Sequence, residues 1–393
     1  MSHNAIQRDS RERYAAGRMR QHSTRAMFFI GGFGAASWAP LVPLLRQRLD
    51  VGENVLGMLL LCIGMGSLIT MPISGSLSVR LGCRKVLTVA SLLFVTFLLA
   101  LCHATSIAVA VVSLLGFGAA MGAIDVTANI QAVIVEKAAR RQLMSGMHAL
   151  WSVGGFAGAG LFGVWVGGLG FTPAASTGVA SAIMLLVLAI FSRHLLPFGG
   201  DGGGTWLAMP RGVVAYVGIV ACISFLLEGA IMDWSGVFLI TVRHFDISKA
   251  GAGFTVFSAA MLVMRLLGDW TVQRLGQKAV VLGGSLMALV GFLLVVFAEK
   301  ELSLYVGFFA IGIGIANIVP VFFSLIGKQK DMPISNAVSA VSTMGYLGIL
   351  MGPAAIGALA HIVGLCAAFG FLAALVALQA VVAAYVYKRV LQA

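Results

Sequence analysis

The chain has 393 residues, 60% hydrophobic and 10% charged, with a mean hydropathy of +0.99. A water-soluble domain carries about 25% charged residues, so a soluble globular fold is excluded and the chain reads as an integral membrane protein. The formal charge of +12 points to anionic lipid headgroups rather than nucleic acid, because the basic residues cluster in alternate loops between apolar runs.

Residues 1–25 form a basic, Arg-rich tail. The first apolar run has no cleavage-type small-residue motif after it and reads as a retained span rather than a signal peptide. Runs long enough to cross a bilayer then recur along the chain, so the spans are helices and not barrel strands. They fall at about 26–45, 54–78, 86–103, 106–135, 145–169 and 173–192 in the first half. In the second half they fall at about 212–240, 250–270, 279–298, 302–327, 335–360 and 365–387. The expected fold class is an all-α membrane protein, with twelve transmembrane helices in two six-helix bundles. The domains are a basic cytoplasmic tail (1–25), an N-terminal bundle (26–193), a Gly- and Pro-rich cytoplasmic linker (194–211), a C-terminal bundle (212–388) and a C-terminal tail (389–393). Five cysteines lack metal or redox spacing, and the Gly199–Gly204 run lacks the Gly-Lys-Ser/Thr ending of a phosphate loop. No metal, cofactor or catalytic triad is expected, and no enzymatic activity.

Lys and Arg set the orientation. With twelve spans and the N-terminus inside, the inner segments hold 20 basic residues and the outer loops 5, with Arg265 inside a span. That bias places both termini in the cytoplasm.

The halves echo each other. Trp38 to Val51 matches Trp234 to Ile247, and the loop Arg80-Leu-Gly82-Cys83-Arg84-Lys85 matches Arg274-Leu-Gly276-Gln-Lys278. Gly122 and Asp125 in span 4 match Gly314 and Asn317 in span 10, and Gly154 in span 5 matches Gly345 in span 11. Four matches in order at a nearly constant offset indicate a six-plus-six duplication, an architecture that binds substrate near the bilayer midplane.

The stretch Gly116 to Glu136 carries polar groups inside an apolar helix. At about 100° per residue, Gly118, Gly122, Asp125, Asn129 and Glu136 share one stripe, whereas Thr127 and Gln131 point elsewhere. Ionisable groups within a bilayer face a bundle interior or a wet cavity, so this stripe is expected to line a cavity.

The loop after span 2 carries a pattern that resembles the major facilitator superfamily. The family pattern is G-x-L-x-D-R-x-G-R-[RK], and this chain has Gly75, Leu77, Val79, Arg80, Gly82, Arg84 and Lys85, with Val79 at the acidic position. The second copy is read as keeping the acid, in Arg265-Leu-Leu-Gly268-Asp269 ahead of Arg274-Leu-Gly276. Within the superfamily, DVTANIQAVIVE, MSGMHALWSVGGFAGA and EGAIMDWSGVFL resemble the rhizopine-permease and fucose-permease-like branch of bacterial transporters. That resemblance implies a multi-pass protein of the bacterial inner membrane that moves a small polar, sugar-like solute, often with protons. It also implies a conformational lock at Arg265 and Asp269, with plain topogenic charge as the alternative; Arg80 and Arg84 are gate candidates of the first half, whose lock lacks an acid because Val79 stands at its place. Asp269 is expected at the N-terminus of span 5 near Ser145, where the helix dipole favours an anion.

Other candidates come from the residues themselves. Asp125 and Glu228 are the proton-coupling candidates; for Asp125 the alternative is a carboxylate tied to neighbouring helices. Asn129 either binds a solute hydroxyl or bridges helices. His148 is either a packing histidine or a cavity contact, and Trp151 a surface for stacking a sugar ring. Trp38 and Asn317 join the substrate-binding candidates. Glu136, beside Lys137, Arg140 and Arg141, forms either a gate salt bridge or a solvated or interfacial ion pair. Glu228 and Asp233 lie about 140° apart on span 7 and face one site only if that helix breaks at Gly229 or Gly236. Asp233 is an outer-gate candidate.

The first functional reading is secondary transport of a small polar solute by alternating access, coupled to protons, by a monomer in a lipid bilayer. The rivals are a proton-coupled exporter of amphiphilic compounds and a membrane sensor that does not transport. Absence of the Gly-Pro pattern in span 5 that the family's drug exporters carry favours symport, although Gly352-Pro353 in span 11 blurs this. The charge bias makes a first testable claim. A fluorescent protein fused after Ala393 should fluoresce and alkaline phosphatase fused there should be inactive; the opposite pair of results reverses the orientation.

Overall fold

The computed structural model describes residues 12–200, 209–246, 249 and 251–392. The start of the basic tail, positions 201–208 of the linker and Ala393 lie outside them. The elements described are all helical. Among the described residues eleven helices are long and apolar enough to cross a membrane, and the pair Arg18–Trp38 and Leu41–Leu49, bent by 42°, makes twelve when taken as one span.

The remaining spans are Glu53–Leu81, Cys83–His103, Ile107–Ala139, Met144–Gly163 and Pro173–Phe191 (spans 2–6). In the second half they are Val213–Thr241, Ala252–Leu275, Gln277–Phe297, Glu301–Ile315 with Ile318–Ile326, Ile334–Val363 and Leu365–Gln392 (spans 7–12). Prolines explain both breaks. Pro40 and Pro43 have no N–H to bond the carbonyls four residues back, and span 1 bends there. Pro320 likewise leaves the Ala316 carbonyl open, and span 10 breaks at Ala316–Asn317. Span 7 runs unbroken, so Gly229 and Gly236 do not interrupt it.

Span 1 begins at Arg18, inside the expected tail. Its first turns bury a polar face of Gln21, Ser23 and Thr24. Polar side chains hide this well only if satisfied, and they are: Ser23 and Thr24 hydroxyls donate to the Arg20 carbonyl, and Thr24 Oγ1 also accepts from Gln131.

The chain forms two compact units. Unit 1 comprises the described residues of Met1–Leu143, Met147–Ala208 and Pro333–Ser339; unit 2 those of Met144–Gly146, Met209–Met332 and Ala340–Ala393. The first turns of spans 5 and 11 are thus exchanged between the units' memberships.

In unit 1 span 4 packs chiefly on spans 2 and 3. Small residues let helix backbones touch where lipid gives no hydrophobic drive: a Cβ on Gly118 would sit 1.9 Å from the Ile63 carbonyl oxygen. The first residues of the expected linker are held fast. Leu195 and Leu196 are fully buried. Gln131 accepts the Leu196 N–H (2.9 Å) and donates to Thr24 (2.9 Å). The Arg84 N–H donates to the Leu196 carbonyl (2.7 Å), its Nε to that of Leu195 (3.2 Å), and Ser23 to that of His194 (3.1 Å).

The duplication is visible in the backbone. Gly82 (φ 81°, ψ 152°) joins spans 2 and 3, and Gly276 (φ 82°, ψ 154°) joins spans 8 and 9. Arg48 donates to Leu101 and Ala104 at the end of span 3; Arg243 donates to Val295 and Val296 at the end of span 9. Both satisfy open C-terminal carbonyls of a helix. The structural partner of Arg48 is therefore Arg243, one residue before the partner that the sequence match assigns.

Both glycines occupy a backbone region that costs other residues about 1–3 kcal/mol. A Cβ at Gly82 would also meet the Pro197 carbonyl at 2.1 Å, whereas Gly276 faces open space. Gly82→Ala should therefore lower the unfolding midpoint clearly more than Gly276→Ala. Equal losses in thermal unfolding of the purified protein would show that the segment after span 6 adds no constraint.

Candidate functional site

In unit 1 the polar residues of spans 4 and 5 form one hydrogen-bonded string. Asn129 Nδ2 donates to the Asp125 carbonyl (3.0 Å) and to its carboxylate Oδ1 (3.3 Å). Asn129 Oδ1 lies 3.2 Å from His148 Nε2. With its amide nitrogen directed at Asp125, Asn129 presents an acceptor to the imidazole, which the Nε2–H tautomer of His148 satisfies. The Phe28 ring packs 5.0 Å from the imidazole, centroid to centroid. Asn129 is buried; Asp125 and His148 are half-buried.

The stripe around Asp125 is not a continuous cavity wall. Its glycine part packs on span 2, Gly118 against Ile63 and Gly122 against Ser67. Glu136 is 8% exposed, which corrects the reading of a solvated ion pair. Its carboxylate accepts the Leu143 N–H at 2.7 Å, at the N-cap of span 5. Thr127 and Gln131, off the stripe, are buried and bonded to Ser78 and to Thr24.

Unit 2 has a second polar cluster on spans 7, 8 and 10. Arg265 side-chain exposure is 9%, and its Nη2 lies 3.4 Å from Glu228, whose side chain is 32% exposed. Arg265 Nε donates to the Ala316 carbonyl (3.2 Å), the group that Pro320 leaves without its helical donor. Asn317, the next residue, is buried and donates to the Met264 carbonyl (3.1 Å). One turn before Glu228, Ser224 accepts from Gln379 of span 12 (3.0 Å). Sequence reasoning missed Gln379 and the role of Pro320. A proline four residues after Ala316 in an otherwise unbroken apolar run was the available signal.

Asp269 lies in the same unit as the first turn of span 5, and its carboxylate accepts the Gly146 N–H at 3.1 Å. Gly146 is the third residue of that helix, so its N–H has no partner within it. Glu136 on Leu143 and Asp269 on Gly146 thus satisfy two donors of one helix start.

Counting from the two matching glycines corrects the reading of Asp269 as the kept acid of the second copy. Asp269 lies seven residues before Gly276, as Gly75 lies seven before Gly82; the counterpart of Val79 is Gln273. Gly75 and Asp269 meet equivalent partners. A Cβ on Gly75 would sit 2.7 Å from the Ser335 carbonyl, in the first turn of span 11, and the Ser339 hydroxyl beside it bonds to the Met71 carbonyl. Where unit 1 has close backbone contact, unit 2 has a carboxylate.

The other expected residues separate into packing and surface. Trp38 is 6% exposed with its ring 6.2 Å from Phe117, which corrects its place among substrate contacts: it fills the core of unit 1. Trp151 is half-buried against Gly31 and Gly32; a Cβ on Gly32 would sit 2.0 Å from the Trp151 carbonyl. Arg80 is exposed at the end of span 2. Arg84 binds the segment after span 6 instead of an acid. Asp233 is exposed on unbroken span 7 and does not converge with Glu228.

Removing one member of a buried ion pair is costlier than removing both. Arg265→Met should destabilise the protein by about 2–4 kcal/mol. Adding Glu228→Gln should restore about 1 kcal/mol or more, a coupling of the size adjacent groups show. Strictly additive losses in denaturant unfolding would mean that the pair carries no net interaction.

The sequence profile of the Major Facilitator Superfamily matches residues 26–333 and 217–391. The chain is 43% identical over 358 residues to an uncharacterized MFS-type transporter of Yersinia pestis, covering 90% of this chain and 92% of that one. It is 30% identical over 349 residues to the membrane protein MosC of Rhizobium meliloti, covering 88% and 85%. Among solved structures it resembles the E. coli fucose:proton symporter FucP, with a TM-score of 0.72 at 15% identity over 93% of this chain and 98% of that one. Helical spans, a duplicated backbone and matches over most of its length make this chain a member of the Major Facilitator Superfamily, a multi-pass secondary transporter.

Proposed function

We propose that the protein is a proton-coupled symporter of a small, polar, sugar-like solute in a bacterial inner membrane, with both termini cytoplasmic. The observation that carries this reading is the string Asp125–Asn129–His148. It holds a half-buried carboxylate, an amide and an imidazole within one hydrogen-bonded chain inside apolar spans. Such a carboxylate takes up a proton without leaving a charge in lipid, and its neighbours adjust by reorienting hydrogen bonds. Asn129 and His148 also offer amide and imidazole groups suited to solute hydroxyls. Glu228 is the second protonable group, neutralised by Arg265 when ionised. FucP is named as a fucose:proton symporter, and that name is in keeping with this reading. The linker and the two-bundle division serve as the frame for alternating access. The Asp269 carboxylate on the Gly146 N–H serves as the lock that the transport cycle must open.

Export of amphiphilic compounds is the rival within the same fold. The polar string favours a hydroxyl-rich solute over an amphiphile, because each apolar cargo atom placed there displaces a hydrogen bond.

A thermal-shift screen of the purified chain against sugars, polyols, amino acids and cationic drugs identifies the solute, since a ligand stabilises the state it binds. With that solute, Asp125→Asn should abolish accumulation driven by a proton gradient and retain counterflow exchange. Full gradient-driven accumulation by Asp125→Asn removes Asp125 from coupling. Stabilisation by drugs alone, with no sugar or polyol response, favours export.

A further inference from the structure

Unit 1 contains a cavity of about 700 Å³ that the transport reading does not use. Its walls come from spans 2, 3 and 4, with Leu77, Leu93, Phe97 and Ala120 among the lining residues. It follows span 3 from Arg84 to Phe97, a rise of about 20 Å at 1.5 Å per residue. That is about the depth of one bilayer leaflet with its headgroups. Leu81, Val89 and Leu93 line it and are exposed, so the cavity opens sideways, towards where acyl chains lie.

Charge is confined to one end. Arg84, Lys85 and Arg193 line the cavity where span 3 begins and span 6 ends, with Ser192 and Thr88 beside them. The lining contains no Asp or Glu. Among the described residues no carboxylate pairs with Lys85 or Arg193, and both are exposed. Arg84 spends Nε and Nη2 on the Leu195 and Arg193 carbonyls, which fixes its guanidinium at the cavity mouth.

We propose that this groove holds one anionic phospholipid, its acyl chain along span 3 and its phosphate on Lys85 and Arg193 beside Arg84. Charge selects the class. A zwitterionic headgroup brings an ammonium that three cations repel and no acid receives, whereas a phosphatidylglycerol-type headgroup leaves its phosphate charge uncompensated and free to pair. Because Arg84 also anchors Arg193–Leu195, a bound lipid would brace the segment that leaves span 6.

Native mass spectrometry of the full chain in detergent tests this, with phosphatidylglycerol and phosphatidylcholine of matched acyl chains as the probes. The wild type should retain one phosphatidylglycerol in preference to phosphatidylcholine. Lys85→Ala with Arg193→Ala should weaken phosphatidylglycerol retention about tenfold or more, the loss expected for two basic groups at a lipid surface. Lys137→Ala with Lys278→Ala, which removes two exposed lysines of other basic segments, should leave it unchanged. Thr88→Trp, which fills the groove, should weaken retention of both lipids. Equal retention of the two lipids by the wild type overturns the proposal. So does a preference that survives loss of Lys85 and Arg193, or that falls equally when Lys137 and Lys278 are removed. Both double variants alter exposed side chains only, so their folding is checked by thermal unfolding and does not confuse the outcome.

Discussion

A carbonyl that loses its helical donor in hydrocarbon has no water to replace it. Pro320 creates that situation at Ala316, and Arg265 answers it from the neighbouring helix. The same guanidinium then needs a counter-charge, and Glu228 of span 7 lies within 3.4 Å. One proline thus commits three spans of unit 2 to a fixed relation, since moving any of them strands a buried carbonyl or a buried charge. Unit 1 obeys the same rule with neutral groups. Gln131 joins the start of span 1 to the segment after span 6, and Asn129 joins spans 4 and 5.

The duplication preserves backbone and lets chemistry diverge. Gly82 and Gly276 agree to within a few degrees, and Arg48 and Arg243 close corresponding helix ends. Those positions answer to geometry that two bundles of the same topology both need. The polar load differs because it answers to something else. Spans 4 and 5 hold an acid, an amide and an imidazole in unit 1, whereas spans 7, 8 and 10 hold an ion pair in unit 2. At the start of span 5 a carboxylate meets a helix N-terminus; at the start of span 11 the corresponding place is backbone against glycine.

Hydropathy and charge made the class, the span count and the basic segments legible in the sequence, because each depends only on what a residue does in oil or water. Periodicity placed Asp125, Asn129 and Glu136 on one face of span 4, a property of a single helix. The family resemblance brought Asp269 to the start of span 5, where its carboxylate accepts the Gly146 N–H. Which other groups meet across helices was not legible. Glu136 capping Leu143, Gln131 holding Leu196, Trp38 sealed against Phe117 and the pairing of Arg265 with both Glu228 and Ala316 depend on which helices adjoin and at what height. The matched Arg80-Leu-Gly82 and Arg274-Leu-Gly276 already set the register of the repeat there, and the glycine dihedrals agree with it, so Asp269 pairs with Gly75 and not with Val79. Sequence alone determined that the polar residues must hide from lipid; tertiary packing decided what each hides against, because a hydrogen bond is set by distances between helices that no one-dimensional pattern contains.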